Sequence, residues 1–547
     1  MQRVGVEIGG TFTDLVAFGP DGVSVVKVPS VPSSPDQGAF AALAASGLPL
    51  DSIAEFIHGS TVATNAVLER KGARLAFVVT EGFRDILLLQ RHDRTRIFDL
   101  FYRKPEPLAA RADTFTVRER IAGDGTVLEP LDLEAEGARL LEALDAGYDA
   151  VAICLLNGFL NPAHERALAA WLAERRPGLR VTCSHVVTGE FREYERATAT
   201  TMAAFVQPVV DGYLARIEDG LAAGGFAGTC TMMQSNGGRV PFRAIRANPI
   251  TALLSGPAAG VTGAIRQAGL SGFRDIITLD IGGTSADVAL VRDGRPDWSR
   301  ETKIDGLPVR VPMVDIVTIG AGGGSIVWRD DGGMLRVGPE SAGAAPGPAC
   351  YGRGGERPTL TDAHVLCGRL PGDARLAGTL ALDARAAAAA FAPTAADFGR
   401  GAVEIAEDAA RLADGNIVAA IRLVSTERGR DPRDFALVPY GGAGPLHAAR
   451  VAEALGVATV VVPPDPGVIS AYGLLVADQM LDETRTRRTP LDAAAPAVVQ
   501  ATLRELMASL EGRAAALGLS GAPAWDLSLD MRYVGQAYEI DVAVDPA

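Results

Sequence analysis

An α/β fold is expected from three observations. Residues 113 to 180 alternate between strand-like apolar runs and helix-length periodic stretches. The stretch Thr278 to Val291, TLDIGGTSADVALV, reads as strand, tight glycine turn, strand. The same plan stands at the N-terminus, where Val6 to Phe18 reads VEIGGTFTDLVAF, and the two align without gaps at an offset of 273 residues, from Glu7 to Asp280. Two hairpins with acids before and after their glycines read as two halves of one phosphate site.

Each residue type in these hairpins has a physical reason. Gly9 and Gly10, like Gly282 and Gly283, allow backbone to approach a phosphate where a Cβ would intrude. Thr11, Thr13 and Thr284 add hydroxyl donors. The acids Glu7, Asp14, Asp280 and Asp287 cannot bind phosphate directly, so they imply an intervening cation, and Mg²⁺ commonly meets carboxylates through its waters. No G-x-x-x-x-G-K-[ST] occurs, and the glycines lead into strands instead of opening a helix, which excludes the P-loop and Rossmann arrangements. The remaining pattern is similar to the phosphate hairpins of the actin, Hsp70 and sugar-kinase superfamily. That resemblance implies a two-lobed, duplicated ribonuclease-H-like ATPase fold that clamps ATP and Mg²⁺.

Composition sets bounds. At 547 residues the chain exceeds one core and should hold two or three domains. Its 52 basic and 66 acidic side chains leave a formal charge of −14, a poor field for attracting nucleic acid or anionic membranes. Five scattered cysteines without a C-x-x-C pair suggest neither a disulfide framework nor a zinc site, and reduced thiols in the cytoplasm are expected. Neither a signal peptide nor an apolar run of membrane-spanning length is visible.

Along the chain, Pro29, Pro32 and Pro35 interrupt the first strands ahead of a helix from Pro35 to Ser46. Ile57 ends a strand, and Ser60 or Thr61 can cap a helix that Gly72 closes. His58, Ser60, Thr61, Thr64 and Asn65 crowd this junction beyond what capping needs, which points to ligand contacts. A strand follows from Leu75 to Val79, then a short apolar helix from Ile86 to Leu89 and the polar cluster Gln90 to Arg94, a candidate cleft lining.

At this point a family resemblance is carried by HGSTVATNAVLERKGARLAFVVTEGFRDILLL, His58 to Leu89. The segments GPESAGAAPGPACYGRGGERPTLTDAHVLCGRL from Gly338, YGGAGPLH from Tyr440 and RYVGQAYEIDV from Arg532 agree with it in order. The chain resembles the A-type, N-terminal subunit of the hydantoinase/oxoprolinase family. The resemblance implies an ATP-binding half of an ATP-dependent cyclic-amide hydrolase acting on 5-oxoproline or a hydantoin, with a B-type partner chain in a hetero-oligomer. An acetone-carboxylase-type subunit phosphorylating ketone or bicarbonate, or an ATP-binding regulator, stays open as an alternative.

Further elements are a helix from Thr198 to Leu221, small residues opening another at Ser255, a long helix over 402–425, and strands from Phe435 to Pro439 and from Val457 to Val462. The small residues from Ser255 are read equally as ligand turn or close packing. Ile319 to Ser325 is a third glycine loop, whose Gly322 and Gly323 are candidate nucleotide contacts beside the hairpins. Gly441, Gly442, Ala443 and Gly444 stand between a strand and a helix start, a natural place for a nucleoside.

Three segments are expected: an N-terminal lobe at 1–185, a central ATPase domain at 196–490, and the start of an incomplete C-terminal domain at 496–547. Expected roles are Asp14, Asp280 and Asp287 in catalysis and Glu7, Asp14 and Asp280 around the metal. His58, Thr61, Asn65, Arg91 and Asp93 are substrate candidates because they lie in family segments outside the phosphate loops. Family members normally carry Asp where this chain has Glu7, an extra methylene that suits a water-mediated metal contact better than a direct one.

Overall fold

The computed structural model describes every residue except 1, 21, 32, 377, 379, 546 and 547. Pro32 and Ala547, which entered the expectations above, lie outside the described residues. The architecture is α/β. β1 (Gln2–Ile8), β2 (Phe12–Gly19) and β3 (Gly22–Pro29) form an antiparallel meander. Helix α1 (Pro35–Ser46) has the expected bounds, with Pro35 at its first turn and Gly47 left-handed at its end. β4 (Ile53–Ser60) then returns parallel to β1, and α2 (Val62–Leu68) follows it.

Residues 75–80, 114–117, 150–154 and 180–183 form a separate four-stranded sheet, parallel throughout. Its two central strands, at 75–80 and 150–154, are buried on both faces. One side packs on Leu140, Leu144, Leu168 and Leu172 of flanking helices.

The long helix α3 (Glu193–Ala223) begins five residues before the expected Thr198. Its first turn is polar yet buried: fully buried Arg196 pairs with Glu193 and lies 3.7 Å from Glu165. Ion pairing hides this turn from a reading based on apolar periodicity.

β5 (Thr229–Met233) and β6 (Arg239–Pro241) complete the first sheet in the order β6-β5-β4-β1-β2-β3. After α4 (Ser255–Leu270) comes the second hairpin, β7 (Ile276–Ile281) and β8 (Ala286–Arg292). β8 pairs with β9 (Arg295–Pro296) and β10 (Ile316–Ile319), and β7 runs parallel to β11 (Ala436–Tyr440). β7, β8 and β11 therefore repeat the pairing of β1, β2 and β4. Of the next helices, α6 (Ala402–Val424) packs on β8 and β10, α7 (Gly444–Leu455) packs on β7 and β11, and α5 (Leu360–Leu366) packs on α6.

The expected strand from Val457 to Val462 is absent among the described residues. Only an isolated bridge joins Val460 to Leu437, because Pro463 and Pro464 end the ladder at once.

Helix α8 (Ile469–Val476) packs on β1 and on α4. Two glycines allow its close approach to α4: a Cβ on Gly473 would lie 1.8 Å from the Ala259 carbonyl oxygen, and one on Gly263 2.5 Å from that of Ile469. The small-residue run after Ser255 is thus a close-packing feature. No helix among the described residues is long and apolar enough to cross a membrane.

This contact predicts opposite outcomes for two glycine substitutions. Gly473→Ala should destabilise the fold by about 3 kcal/mol, since rigid backbone must move. Gly512→Ala, in a helix where a Cβ meets nothing within 4 Å, should stabilise by about 0.5 kcal/mol. Denaturant unfolding of both variants checks the pair.

Candidate functional site

Register places the acids. In the first hairpin Glu7 is paired directly with Asp14, and in the second Asp280 with Asp287, so each hairpin carries two carboxylates on one face. Like charges directly opposite on adjacent strands repel. The hairpins also approach each other at their tips: a Cβ on Gly283 would sit 3.0 Å from the Thr11 hydroxyl oxygen. Gly9 N–H donates to Phe12 O at 3.0 Å and Gly282 N–H to Ser285 O at 3.1 Å. These two glycines therefore close the turns, and exposed Gly10, Gly283 and Thr284, with half-buried Thr11, form the open tips.

Burial and mutual repulsion raise the affinity of these carboxyls for protons. Burial, then Asp14 and Asp280, pushes Glu7 up to about 8. Burial and Asp287 push Asp280 up to about 8, with Asp14 adding to the rise and Lys27 opposing it. Asp14 and Asp287 are also raised by burial, against Lys27 for the first and the Thr318 and Ser285 hydroxyls for the second.

Lys27, on β3, is the cation the sequence reading missed. Its Nζ donates to Asp14 Oδ1 at 2.5 Å and to Gly467 O at 3.1 Å. The signal available was a lone charge inside the strand VSVVKV.

The donor set fits a divalent cation. Of the four carboxylates on the neighbouring hairpins, Lys27 offsets only Asp14 and Asp280, and the buried Oε2 of Glu7 has no hydrogen-bond partner. Glu7 itself is held behind the tips. A Cβ on Gly59 would lie 1.7 Å from its Oε2, and one on Gly256 2.4 Å from its Oε1. Glycines at 59 and 256 make room for the methylene that Glu has beyond Asp.

The strand-to-helix loop 441–444 runs alongside. Gly441 has φ +78° and a Cβ there would meet Asp280 Oδ1 at 2.2 Å, so only glycine suits the position. Ala443 N–H donates to Ile281 O at 2.9 Å, Gly444 starts α7, and around Gly442 there is open space. Beneath the loop, His447 Nδ1–H donates to Asp414 at 2.5 Å, and His364 Nε2–H donates to His447 Nε2 at 3.1 Å. This buried chain ties α7 to α6 and α5, whose residues are too far apart in sequence to suggest it.

Several expected contacts are corrected. Thr13 is fully buried, with its hydroxyl 3.1 Å from that of Ser30, because strand alternation turns it away from the face of Asp14. Gly322 and Gly323 support the second hairpin from behind. A Cβ on Gly322 would strike the Thr284 and Ser285 backbone, and Gly323 N–H is spent on Gly282 O at 2.9 Å.

His58 is 0% exposed. Its Nδ1–H donates to Val6 O at 2.9 Å and its Nε2 accepts from the Tyr213 hydroxyl at 2.6 Å, while burial lowers its pKa to about 4. It is a neutral core residue. Ser60 and Thr64 are buried as well, Thr64 accepting from Leu254 N–H at 3.1 Å.

Half-buried Thr61 and exposed Asn65 remain at the surface, joined by a 3.2 Å hydrogen bond. Exposed Arg91 makes a two-pronged ion pair with Glu195 at 2.9 and 2.7 Å, and Asp93 is exposed nearby.

Comparison with known proteins agrees with the sequence blocks. The hydantoinase/oxoprolinase family model matches residues 196–483, and that of the hydantoinase/oxoprolinase N-terminal region matches residues 3–175. The chain belongs to the hydantoinase/oxoprolinase family. It is 34% identical over 561 residues to caprolactamase subunit alpha of Pseudomonas jessenii, covering 99% of this chain and 80% of that one. It is 33% identical over 511 residues to the acetophenone carboxylase gamma subunit of Aromatoleum aromaticum, covering 89% and 69%. With 5-oxoprolinase 1 of Arabidopsis thaliana it shares 34% identity, covering 88% of this chain and 42% of that one.

Two solved structures are similar over 99% of this chain and 81% of their own. They are the ATP-dependent caprolactamase of Pseudomonas jessenii, at TM-score 0.88 and 33% identity, and nucleotide-free acetone carboxylase, at TM-score 0.79 and 27% identity.

The raised carboxyls make stability pH-dependent in a defined sense. Between the ordinary values of 4.5 and 3.8 and about 8, the folded state holds protons that the unfolded chain releases, so rising pH favours unfolding. In EDTA the melting temperature should fall through this window. Mg²⁺ should flatten the fall, and so should Glu7→Gln combined with Asp280→Asn without metal. Melting curves across pH provide the check, and an unchanged slope in the double variant would contradict this account of the charges.

Proposed function

We propose that this chain is the A-type, ATP-using half of a cyclic-amide hydrolase. The observation that carries the proposal is the pair of register-matched carboxylates on two glycine hairpins whose tips face each other. Similarity to an ATP-dependent caprolactamase and to 5-oxoprolinases supports the reaction class. In this reading the fold is the two-lobed, actin-like ATPase arrangement, divided into lobes at 1–185 and 196–490 and a further segment at 496–547. The enzyme works in the cytoplasm as a hetero-oligomer with a B-type chain.

An amide carbonyl is a poor electrophile, and opening an unstrained lactam has little driving force. Transfer of the γ-phosphoryl group to the amide oxygen releases ADP and makes the amide carbon electrophilic; water adds there, the ring C–N bond breaks with the proton going to nitrogen, and a second water hydrolyses the resulting acyl phosphate to carboxylate and phosphate. The protein's task is then positioning and charge stabilisation. Backbone at Gly10, Thr11, Gly283 and Thr284 cradles the phosphates, and the loop 441–444 holds the nucleoside. Asp14, Asp280 and Asp287 would hold the magnesium, with Glu7 behind them. Bound magnesium supplies neutralisation of the phosphate charge. Lys27 orients Asp14 and limits the repulsion among the acids. Thr61, Asn65, Arg91 and Asp93 remain substrate candidates at the surface.

A carboxylase reading, with ketone or bicarbonate phosphorylated, is favoured by the likeness to the acetophenone carboxylase gamma subunit and to acetone carboxylase. A regulatory ATP-binding role is the third alternative, and it requires ATP turnover unaffected by any lactam or ketone.

Titration calorimetry should detect Mg-ATP binding by the folded chain, and Asp280→Asn should lower magnesium-dependent ATP turnover by about 10²-fold. Absence of nucleotide binding would remove the proposal. With the B-type chain co-expressed, caprolactam, 5-oxoproline or a hydantoin should stimulate ATP consumption with matching ring opening. Stimulation by acetone with bicarbonate instead would favour the carboxylase reading.

A further inference from the structure

Residues 90–105 form a tongue whose base is fastened and whose tip is bare. At the base Gln90 Nε2 donates to Pro105 O at 2.6 Å, and Lys104 Nζ donates to Leu89 O at 2.5 Å and Arg91 O at 3.1 Å. The Arg91 pair with Glu195 anchors it to the start of α3, and Arg70 holds the following backbone through Glu106 O at 2.8 Å. The tip has its own order: Phe101 N–H donates to Asp99 Oδ1 at 2.9 Å, and Arg96 pairs with Asp99 at 3.1 Å.

This turn holds four large apolar side chains outward. Ile97 is 71% exposed, Phe98 97%, Leu100 92% and Phe101 89%. A contiguous apolar group on a fastened loop marks a contact surface, since single exposed apolar residues are common but such clusters are not. Two phenylalanine rings alone can bury on the order of 300 Å².

Charge selects the occupant. Residues 91–104 carry five basic and two acidic side chains in a chain of formal charge −14. The tip is therefore an apolar plug in a basic collar, and its complement is an apolar pocket rimmed by carboxylates. Relatives matched along 99% and 89% of this chain are described as subunits, so a face for another chain is required of them.

We propose that the tongue is the docking element for the B-type partner, inserting Phe98 and Phe101 into an acidic-rimmed apolar pocket of that separate polypeptide. The proposal rests on the two-chain reading above and adds where the contact is made. A fastened loop with an ordered tip loses little conformational freedom on docking, which suits a plug. Aromatic side chains at the centre of such a contact carry most of its energy.

The test uses the full chain co-expressed with its B-type chain. Phe98→Ser with Phe101→Ser should weaken the complex at least tenfold by sedimentation, while Mg-ATP binding changes less than twofold. Leu270→Ser, at a residue 67% exposed at the end of α4 and outside the tongue, should leave the complex unchanged. A photo-crosslinking residue at position 98 should capture the B-type chain.

Full affinity in the double variant, with the wild-type complex intact, would overturn the tongue and leave the two-chain reading standing. Failure of the wild-type chains to associate would overturn both. Crosslinking to a second copy of this chain, or co-sedimentation of the tongue with phosphatidylserine vesicles, would assign it to a different occupant and also overturn the proposal.

Discussion

Repulsion between paired carboxylates is the constraint around which the site is arranged. Strand register puts Glu7 against Asp14 and Asp280 against Asp287, and the approach of the two hairpins brings the pairs under each other's influence. A fold that only needed stability would not collect four acids with a lysine that offsets only Asp14 and Asp280. Lys27 moderates the repulsion from the side, while the unpartnered oxygen of Glu7 remains a demand that the protein itself does not meet. Held protons satisfy that demand at low pH, and a cation satisfies it when the acids are ionised.

Around these acids, space is set by glycine. Gly59 and Gly256 enclose the Glu7 carboxylate, Gly441 admits Asp280, and Gly322 fits against the second hairpin's backbone. The same device brings two helices together, where Gly473 and Gly263 let α8 approach α4. The close approaches therefore serve two ends, positioning charge at the hairpins and fastening the scaffold that carries them. Behind the loop 441–444, the Asp414, His447 and His364 chain fixes a helix start by hydrogen bonds among buried groups. The tongue at residues 90–105 uses the opposite strategy, with polar bonds at its base and apolar groups left in water at its tip.

The sequence by itself determined the α/β class, the two hairpins and the helix bounds at Pro35 to Ser46, because these depend on local periodicity and on short-range turn chemistry. The sequence placed acids before and after each glycine pair, but the pairing of Glu7 with Asp14 and of Asp280 with Asp287 came from the strand register of the structure. Only the tertiary structure decided which polar residues face solvent. His58 and Thr13 stand in suggestive company along the chain, yet the packing of Tyr213, Val6 and Ser30 against them uses their polar atoms in the interior. Gly323 looked like a ligand loop, but its N–H is taken by a carbonyl forty-one residues earlier in the chain, at Gly282. Lys27 reached the site through strand pairing with Asp14 across a turn, a contact that the β2–β3 register creates. Local sequence specifies an element and the side of it a residue occupies, whereas exposure and hydrogen-bond partners depend on what distant segments place against that side, and this is the physical reason the remainder could be decided only in three dimensions.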